Sequence, residues 1–273
     1  MASSATPEYV LGHASSELQR LAYQAQYWGE ATLEWLRRAA IEPGMRLLDI
    51  GCGAGDVSLL AATLVGPTGS VLGVDRSPDA VATATQRATA MGLSQVQFEV
   101  ASLETFAPDR QFDGIIGRLV LIYLADPVAE LRKLLRFVRQ GGVVAFFEMD
   151  MVACRSVPPV PLVEESMERL RQTFRRAGNT LDLGPRLWRV FRDAGLPDAS
   201  MMVHWRAEPA PAAPGARLIS ETTRSLLPMM ERFGVARAAE VDVDTLSSRL
   251  QAAVVAQDAT LLPPAVVGAW ARR

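Results

Sequence analysis

The fold of this chain is decided by the stretch Leu47-Leu48-Asp49-Ile50-Gly51-Cys52-Gly53-Ala54-Gly55-Asp56. Its apolar start belongs to a short strand predicted over residues 46–50, and its alternate glycines make a tight turn. Apolar residues then recur at helical spacing, so a helix follows the turn. A turn of this kind lets a ligand lie against bare backbone, and the helix start offers it unpaired N–H groups. The stretch therefore predicts a ligand site at the end of a strand.

The spacing of the glycines separates two classes of cofactor. Gly51, Gly53 and Gly55 form a G-x-G-x-G pattern, whereas dinucleotide sites use G-x-G-x-x-G. The third glycine of a dinucleotide site would fall at position 56, which is Asp56. A carboxylate in the first turn of the helix would also repel a pyrophosphate. The pattern therefore disfavours a nicotinamide dinucleotide.

A second element of the site follows 20 residues after Gly55. Residues 70–74 are predicted to form the second strand, which ends at Asp75. An acidic residue in this place can accept hydrogen bonds from both hydroxyls of a ribose. The order of strand, glycine turn, helix, strand and acid is more specific than either motif alone, and it predicts a ligand that carries a ribose.

Strands and helices alternate through the first half of the chain. Five apolar strands are predicted, at residues 46–50, 70–74, 96–100, 112–116 and 143–147. The helix before the fifth strand is expected to start at Asp126-Pro127 and to end at Gly141-Gly142. Strands this apolar predict an α/β fold with a parallel sheet covered by helices on both faces. Such a sheet binds its ligand beyond the carboxyl ends of its strands.

The remaining segments are predicted to be mainly helical. Residues 1–42 are expected to form a lid of two helices, and residues 43–273 the main domain. Helical insertions are expected around 160–195 and 216–258, and the proline- and alanine-rich stretch 208–215 is predicted to be a turn or linker.

Composition indicates a folded protein of moderate charge. Of the 273 residues, 49% are apolar, and a net charge of -2 gives no basic excess for binding nucleic acid. Cys52 and Cys154 have no metal-ligand spacing and make no disulfide framework. Neither a signal peptide nor an apolar run of about 18 residues is visible. We therefore expect a cytoplasmic protein without a metal, a nucleic-acid partner or a membrane span; a homo-oligomer is possible on this sequence.

The motifs LLDIGCGAGDVS at 47–58 and VLGVDRS at 71–77 resemble those of the class I S-adenosylmethionine-dependent methyltransferases, of the type found in quinone and natural-product biosynthesis. The resemblance covers about residues 40–150 with specific motifs and the rest more loosely. It implies a Rossmann-like, doubly wound sheet of seven mostly parallel strands, with S-adenosylmethionine as cofactor and S-adenosylhomocysteine as product. The sixth strand and the antiparallel seventh are then expected at 199–207 and 265–270.

The resemblance also implies roles for the residues of both motifs. Asp49, Gly51, Gly53 and Gly55 would line the methionine moiety and the adjacent ribose. Asp75 would hold the two ribose hydroxyls.

Further cofactor contacts are implied at the ends of the other strands. Arg76 would flank the adenine. Ser102, with Leu103 beside it, stands where the family often has an aspartate at the adenine amine, which leaves a hydroxyl and backbone groups to bond the base. Arg118 would border the sulfonium and the acceptor, and Tyr27 of the lid would face the cofactor.

Methyl transfer is an in-line displacement, so the enzyme mainly holds donor and acceptor in place and excludes water. A base is needed only if the acceptor must lose a proton. Glu148, at the end of the fifth strand, is a candidate base or substrate anchor, unless it is a solvated strand-end carboxylate. Tyr23 and His13 of the lid are further catalytic candidates, although core packing would also explain the tyrosine. His204 is expected to be structural.

The acceptor is expected to be a small hydrophobic molecule, because the insertions are apolar and rich in methionine around 226–230. C- and O-methylation are both open. An arginine cluster on the helix at 163–177 would suit a diphosphate if it were not a solvated face. The alternatives are an NAD(P)-dependent oxidoreductase, a non-catalytic S-adenosylmethionine-binding protein and a macromolecular methyltransferase.

Overall fold

The computed structural model describes residues 15–273, with side chains described from Arg20 onward apart from Ala22. Its strands are β1 (Arg46–Ile50), β2 (Ser70–Asp75), β3 (Val96–Val100), β4 (Phe112–Arg118), β5 (Val138–Asp150), β6 (Arg155–Val157), β7 (Ser200–His204), β8 (Glu208–Pro209), β9 (Thr260–Leu262) and β10 (Ala265–Arg272). Its helices are α1 (Ser15–Arg38), α2 (Asp56–Val65), α3 (Pro78–Ala90), α4 (Pro127–Leu134), α5 (Pro161–Arg176), α6 (Leu183–Ala194), α7 (Gly215–Arg232), α8 (Ala238–Val241) and α9 (Val243–Ala256).

Seven of these strands form the main sheet, in the order β3-β2-β1-β4-β5-β10-β7. The five strands from β1 to β5 pair in parallel, and β10 runs antiparallel to both of its neighbours, β5 and β7. The predicted doubly wound, seven-stranded fold with an antiparallel closing strand is therefore confirmed. The strand order reverses between β1 and β4, and this is the place where such sheets bind ligands.

Alternation along the strands gives the sheet two apolar faces. On one face, Trp35 of α1 stacks on Phe147 with 5.2 Å between ring centroids. On the other face, Phe146 meets Phe191 of α6 edge to face at 6.3 Å. The close packing of α1 explains Gly268 in β10, because a Cβ there would lie 2.5 Å from Cδ1 of Trp35.

Two boundaries differ from prediction. From Ser15 onward, the N-terminal segment holds one continuous helix, α1, rather than two, because the buried face of Trp28, Ala31 and Trp35 continues as one stripe. Strand β5 begins at Val138, so Gly141-Gly142 lies inside the strand instead of ending a helix. A Cβ at Gly142 would lie 2.5 Å from Val138, which makes the glycine a packing requirement of the strand.

The segment between β5 and β10 contributes a second layer. Helices α5, α7 and α9 enclose an apolar cluster with a small antiparallel sheet of order β6-β9-β8. The stretch 208–215, predicted as a turn or linker, begins with β8, and its Glu208 is buried. No helix in residues 15–273 combines the length and hydropathy needed to cross a membrane.

Candidate active site

The glycine turn after β1 has the geometry that the sequence predicts. Gly51, Gly53 and Gly55 have φ of +63°, +52° and +84°, a region that other residues rarely adopt. A Cβ at Gly51 would lie 2.7 Å from Cγ2 of Val120, and one at Gly55 would lie 2.9 Å from Cζ of Phe98. At Gly53 a Cβ would meet no atom within 4 Å. Two glycines thus allow close packing, whereas Gly53 leaves open space above the turn.

Asp75 is fixed beside this turn by the backbone. Its Oδ2 accepts a hydrogen bond from the N–H of Gly53 at 2.9 Å, and its Oδ1 accepts one from the N–H of Ser77 at 2.9 Å. Each carboxylate oxygen can accept a second bond. The side chain lines the adjoining cavity, so two oriented acceptors are available to a pair of neighbouring hydroxyls.

A cavity of about 250 Å³ lies beyond the carboxyl ends of β1, β2 and β4 and beneath α1, α5 and α7. The sequence-predicted residues that it brings together are Gly51, Gly53, Asp75, Arg76, Ser102, Leu103 and Arg118. Away from the turn, the cavity is bounded by side chains that we call the apolar wall: Met149, Met151, Met167, Leu170, Phe174, Leu218 and Ile219. The cavity therefore has a polar end at the glycine turn and an apolar end beneath α5 and α7.

Asp49 and Gly55, predicted to line the cofactor, do not line this cavity. Asp49 lies behind the turn, where its Oδ2 accepts a hydrogen bond from the hydroxyl of Ser58 at 2.6 Å. Burial raises the pKa of this carboxyl to about 7. Gly55 packs against Phe98 and Ala84 instead of facing open space. Both residues shape the turn from behind.

Glu148, the candidate base or substrate anchor, lies outside the cavity, and it is not a solvated carboxylate. Its side chain is 0% exposed and does not line the cavity. Its Oε1 accepts hydrogen bonds from the N–H groups of Val120 at 3.0 Å and Leu121 at 2.8 Å. Burial raises its pKa to about 8. The end of β5 therefore places this side chain beneath the loop after β4 and away from the cavity.

The two lid tyrosines also face away from the cavity. Tyr23 donates its hydroxyl to the backbone oxygen of Pro214 at 2.7 Å. Tyr27 donates to Oε1 of the buried Glu208 at 2.6 Å, and burial together with this bond raises the pKa of Tyr27. Neither tyrosine lines the cavity, because the hydroxyl of Tyr23 is bonded at the N-cap of α7 and that of Tyr27 is bonded to β8. His13 lies outside the described residues.

Helix α1 contributes different residues to the cavity. Arg20, Leu21 and Gln24 line it, and Arg20 donates a hydrogen bond to Oε1 of Gln24. Sequence periodicity places Arg20, Gln24 and Tyr27 near one face of the helix. No local signal distinguishes them, since Tyr27 differs only in its bond to Glu208, a residue distant in sequence.

Arg118 lies in a buried charge network at the polar end. Its Nη1 donates to the hydroxyl of Thr32 at 2.9 Å, and its Nη2 lies 3.6 Å from Oδ2 of Asp56. Asp56 also accepts from Arg87 at 2.6 Å. Burial lowers the pKa of Arg118, and the Asp56 carboxylate opposes that shift. The charge of Asp56 is thus compensated by two arginines, but its side chain still occupies the first turn of α2, where a pyrophosphate would need open N–H groups.

The arginines of α5 do not form a diphosphate site. Arg169 pairs with Glu165 at 2.7 Å, and Arg175 pairs with Glu168 at 3.2 Å. Arg171 donates to the backbone oxygen of Cys154 at 2.7 Å, and none of these arginines lines the cavity. Within the described residues, no group of three or more histidine, cysteine or acidic side chains is arranged to hold a metal ion.

Fold and site together define a Rossmann-like methyltransferase class, and comparison with known proteins agrees. Residues 41–195 match the methyltransferase domain family. Aklanonic acid methyltransferase of Streptomyces sp. strain C5 is 38% identical over 104 residues, which are 38% of this chain and 47% of that protein. Demethylmenaquinone methyltransferase of Bacillus cytotoxicus is 28% identical over 176 residues, 60% of this chain and 74% of that protein.

Solved structures show the same fold. A phosphoethanolamine N-methyltransferase 2 of Haemonchus contortus, in complex with phosphomonomethylethanolamine and S-adenosylhomocysteine, has a TM-score of 0.56 at 18% identity. The similarity covers 89% of this chain and 52% of that one. The chain spans about half the length of aklanonic acid methyltransferase. Because the family match covers more than half of the chain, the chain belongs to the class I S-adenosylmethionine-dependent methyltransferases.

Proposed function

We propose that this chain transfers a methyl group from S-adenosylmethionine to a small, apolar acceptor. The observation that carries the proposal is the cavity itself, in which the glycine turn and Asp75 share one space with the apolar wall. A nucleoside cofactor bound at the polar end would meet an apolar molecule bound at the other end, away from bulk water.

The residues at the polar end fit the adenosyl part of this cofactor. Asp75 would accept the two ribose hydroxyls with the free lone pairs of its oriented oxygens. The open space above Gly53 would let the cofactor lie against the turn, since a Cβ there meets no protein atom within 4 Å. Arg76, Ser102 and Leu103 line the adjoining part of the cavity and would border the adenine.

The methionine part would lie between α1 and the end of β4. Arg20 and Arg118 both line the cavity there, and the positive charge of Arg20 helps to lower the pKa of Arg118. Two guanidinium groups near one another favour a bound carboxylate. We therefore place the carboxylate of the methionine part between these two arginines, with Gln24 beside them.

The cofactor supplies an electrophilic methyl group on its sulfonium. The residues of this chain bind the two reactants, orient them and keep water out. Among the described residues, the carboxylates that line the cavity are at the polar end: Asp56, Asp75, Asp79 and Glu104. Catalysis at the apolar wall thus depends on positioning, and an acceptor that is already nucleophilic needs no base there.

The apolar wall supports an acceptor with a large apolar surface. Its three methionines, Met149, Met151 and Met167, are adaptable and polarisable, which suits a flat or irregular molecule. The names of aklanonic acid methyltransferase and demethylmenaquinone methyltransferase point in the same direction, since each names a small-molecule substrate. Transfer to carbon and transfer to oxygen are both compatible with this wall.

The proposal is tested by methyl transfer from S-adenosylmethionine labelled in the methyl group. We expect label to pass to apolar quinols or aromatic natural-product scaffolds and not to prenyl diphosphates. Transfer to charged acceptors alone would contradict the proposed acceptor class. No transfer to any of them, in protein that binds S-adenosylhomocysteine, would contradict the choice of apolar acceptors.

Replacing Met167 with glutamine should then lower kcat/KM for an apolar acceptor about 10-fold, because a polar amide is placed in the apolar wall. The affinity for S-adenosylhomocysteine should stay within about 3-fold of wild type. Met230→Gln is the matched control, since Met230 is equally buried in the same cluster but does not line the cavity. An equal loss of kcat/KM in Met230→Gln would show that general destabilisation, and not the cavity, explains the effect.

A further inference from the structure

The loop 119–124, which follows β4, is a wall shared by both ends of the cavity. Leu119, Val120, Ile122, Tyr123 and Leu124 all line it. The loop begins with a backbone constraint, because Leu119 has φ of +56°, a left-handed conformation that is unfavourable for any residue with a Cβ. A loop in such a conformation keeps it only if surrounding contacts hold it.

Two buried polar side chains hold this loop from below. One oxygen of Glu148 accepts hydrogen bonds from the backbone N–H groups of Val120, at 3.0 Å, and Leu121, at 2.8 Å. Asn179 donates its Nδ2 to the backbone oxygen of Ile122 at 3.0 Å. Both side chains are buried, at 0% and 7% exposure, and neither lines the cavity. They therefore affect a ligand only through the loop.

The part of the loop held by Glu148 touches the glycine turn. A Cβ at Gly51 would lie 2.7 Å from Cγ2 and 3.2 Å from Cγ1 of Val120, so the valine packs directly on this glycine. If Val120 were displaced, its side chain would either push against the glycine turn or leave the turn without support. The part held by Asn179 leads instead to Tyr123 and Leu124, whereas the three atoms nearest to the Cβ position of Gly51 all belong to Val120.

We propose that Glu148 is a positioning residue that sets the cofactor turn through Val120, whereas Asn179 fixes only the far part of the same loop. This inference rests on the proposed function, because it takes the glycine turn as the cofactor site. Glu148 needs one acceptor oxygen for this role and no negative charge. An amide oxygen could therefore replace its carboxylate oxygen.

The test is calorimetric titration with S-adenosylhomocysteine of wild type and three variants. Glu148→Leu removes the acceptor and should weaken binding about 10-fold, since two backbone N–H groups lose their buried partner and Val120 is released. Glu148→Gln keeps an acceptor oxygen and should stay within about 3-fold of wild type. Asn179→Leu, the matched control, removes a buried anchor of the same loop and should also stay within about 3-fold.

Wild-type affinity in Glu148→Leu would overturn the inference, and so would an equal loss in Asn179→Leu or in Glu148→Gln. Hydrogen exchange of the wild-type protein supplies a second measurement that does not depend on a variant folding. The amides of Val120 and Leu121 should be protected to the extent of those in β5, and rapid exchange would overturn the inference. A wild-type protein that does not bind S-adenosylhomocysteine would contradict the proposed function, whereas protected amides would still support anchoring by Glu148.

Discussion

Replacing Asp75 with alanine should weaken the binding of S-adenosylhomocysteine at least about 100-fold, or about 2.7 kcal/mol. The variant loses two charge-assisted hydrogen bonds to the ribose, each of which contributes about 1.5–3 kcal/mol. It also leaves the N–H groups of Gly53 and Ser77 without the acceptor that orients the turn. Calorimetric titration of wild type and variant measures the loss directly.

Asp79→Ala is the control for this experiment. Asp79 is a neighbouring carboxylate that also lines the cavity, in the first turn of α3. Its replacement should change the affinity by no more than about 3-fold if the loss at Asp75 comes from specific hydrogen bonds rather than from a change in local charge. If Asp75→Ala binds S-adenosylhomocysteine as tightly as wild type does, the assignment of Asp75 to the ribose is wrong.

Replacing Gly53 with alanine should weaken S-adenosylhomocysteine binding at least about 30-fold, or about 2 kcal/mol, while the protein stays folded. The protein itself has room for the added methyl group, because no atom lies within 4 Å of the Cβ position. The methyl group would project into the space that we assign to the cofactor. The folded state is destabilised only by the positive φ of +52°, which costs about 1–2 kcal/mol in a residue with a Cβ.

Gly92→Ala separates these two effects. Gly92 has φ of +67°, and its Cβ position is also open, but it lies at the end of α3 and does not line the cavity. Both variants should lose similar stability in thermal or urea unfolding, and only Gly53→Ala should lose affinity. If the two variants bind S-adenosylhomocysteine equally well, the space above the turn does not hold the cofactor.

The sheet and the polar end of the site could be predicted because they depend on local sequence. Each strand is a short apolar run, and the glycine turn and Asp75 are fixed by positions along adjacent strands. The positive φ of Gly51, Gly53 and Gly55 follows from residue type alone. In such elements the local preference and the final structure agree.

The errors arose where contacts distant in sequence decide the outcome. Tyr23 and Tyr27 share α1 with Arg20 and Gln24, and the tyrosines are bonded away from the cavity by Pro214 and Glu208, which are distant in sequence. Glu148 stands at a strand end that usually faces the ligand, yet the loop after β4 lies between it and the cavity.

The small sheet escaped prediction for a different reason. Its strands β6, β8 and β9 have only two or three residues, too few for an alternating pattern to be recognised. The burial of Glu208 in a stretch predicted as a turn or linker has the same origin, since its partners, Tyr27 and the N–H of Gly215, come from other elements.

The central claim is that the polar end of the cavity binds an adenosyl cofactor and not a dinucleotide. Calorimetric titration of the wild-type protein with S-adenosylmethionine, S-adenosylhomocysteine and NAD(P)H tests it most directly. We predict one site of about micromolar affinity for each adenosyl ligand and no measurable binding of NAD(P)H. Binding of NAD(P)H without binding of either adenosyl ligand would contradict the account.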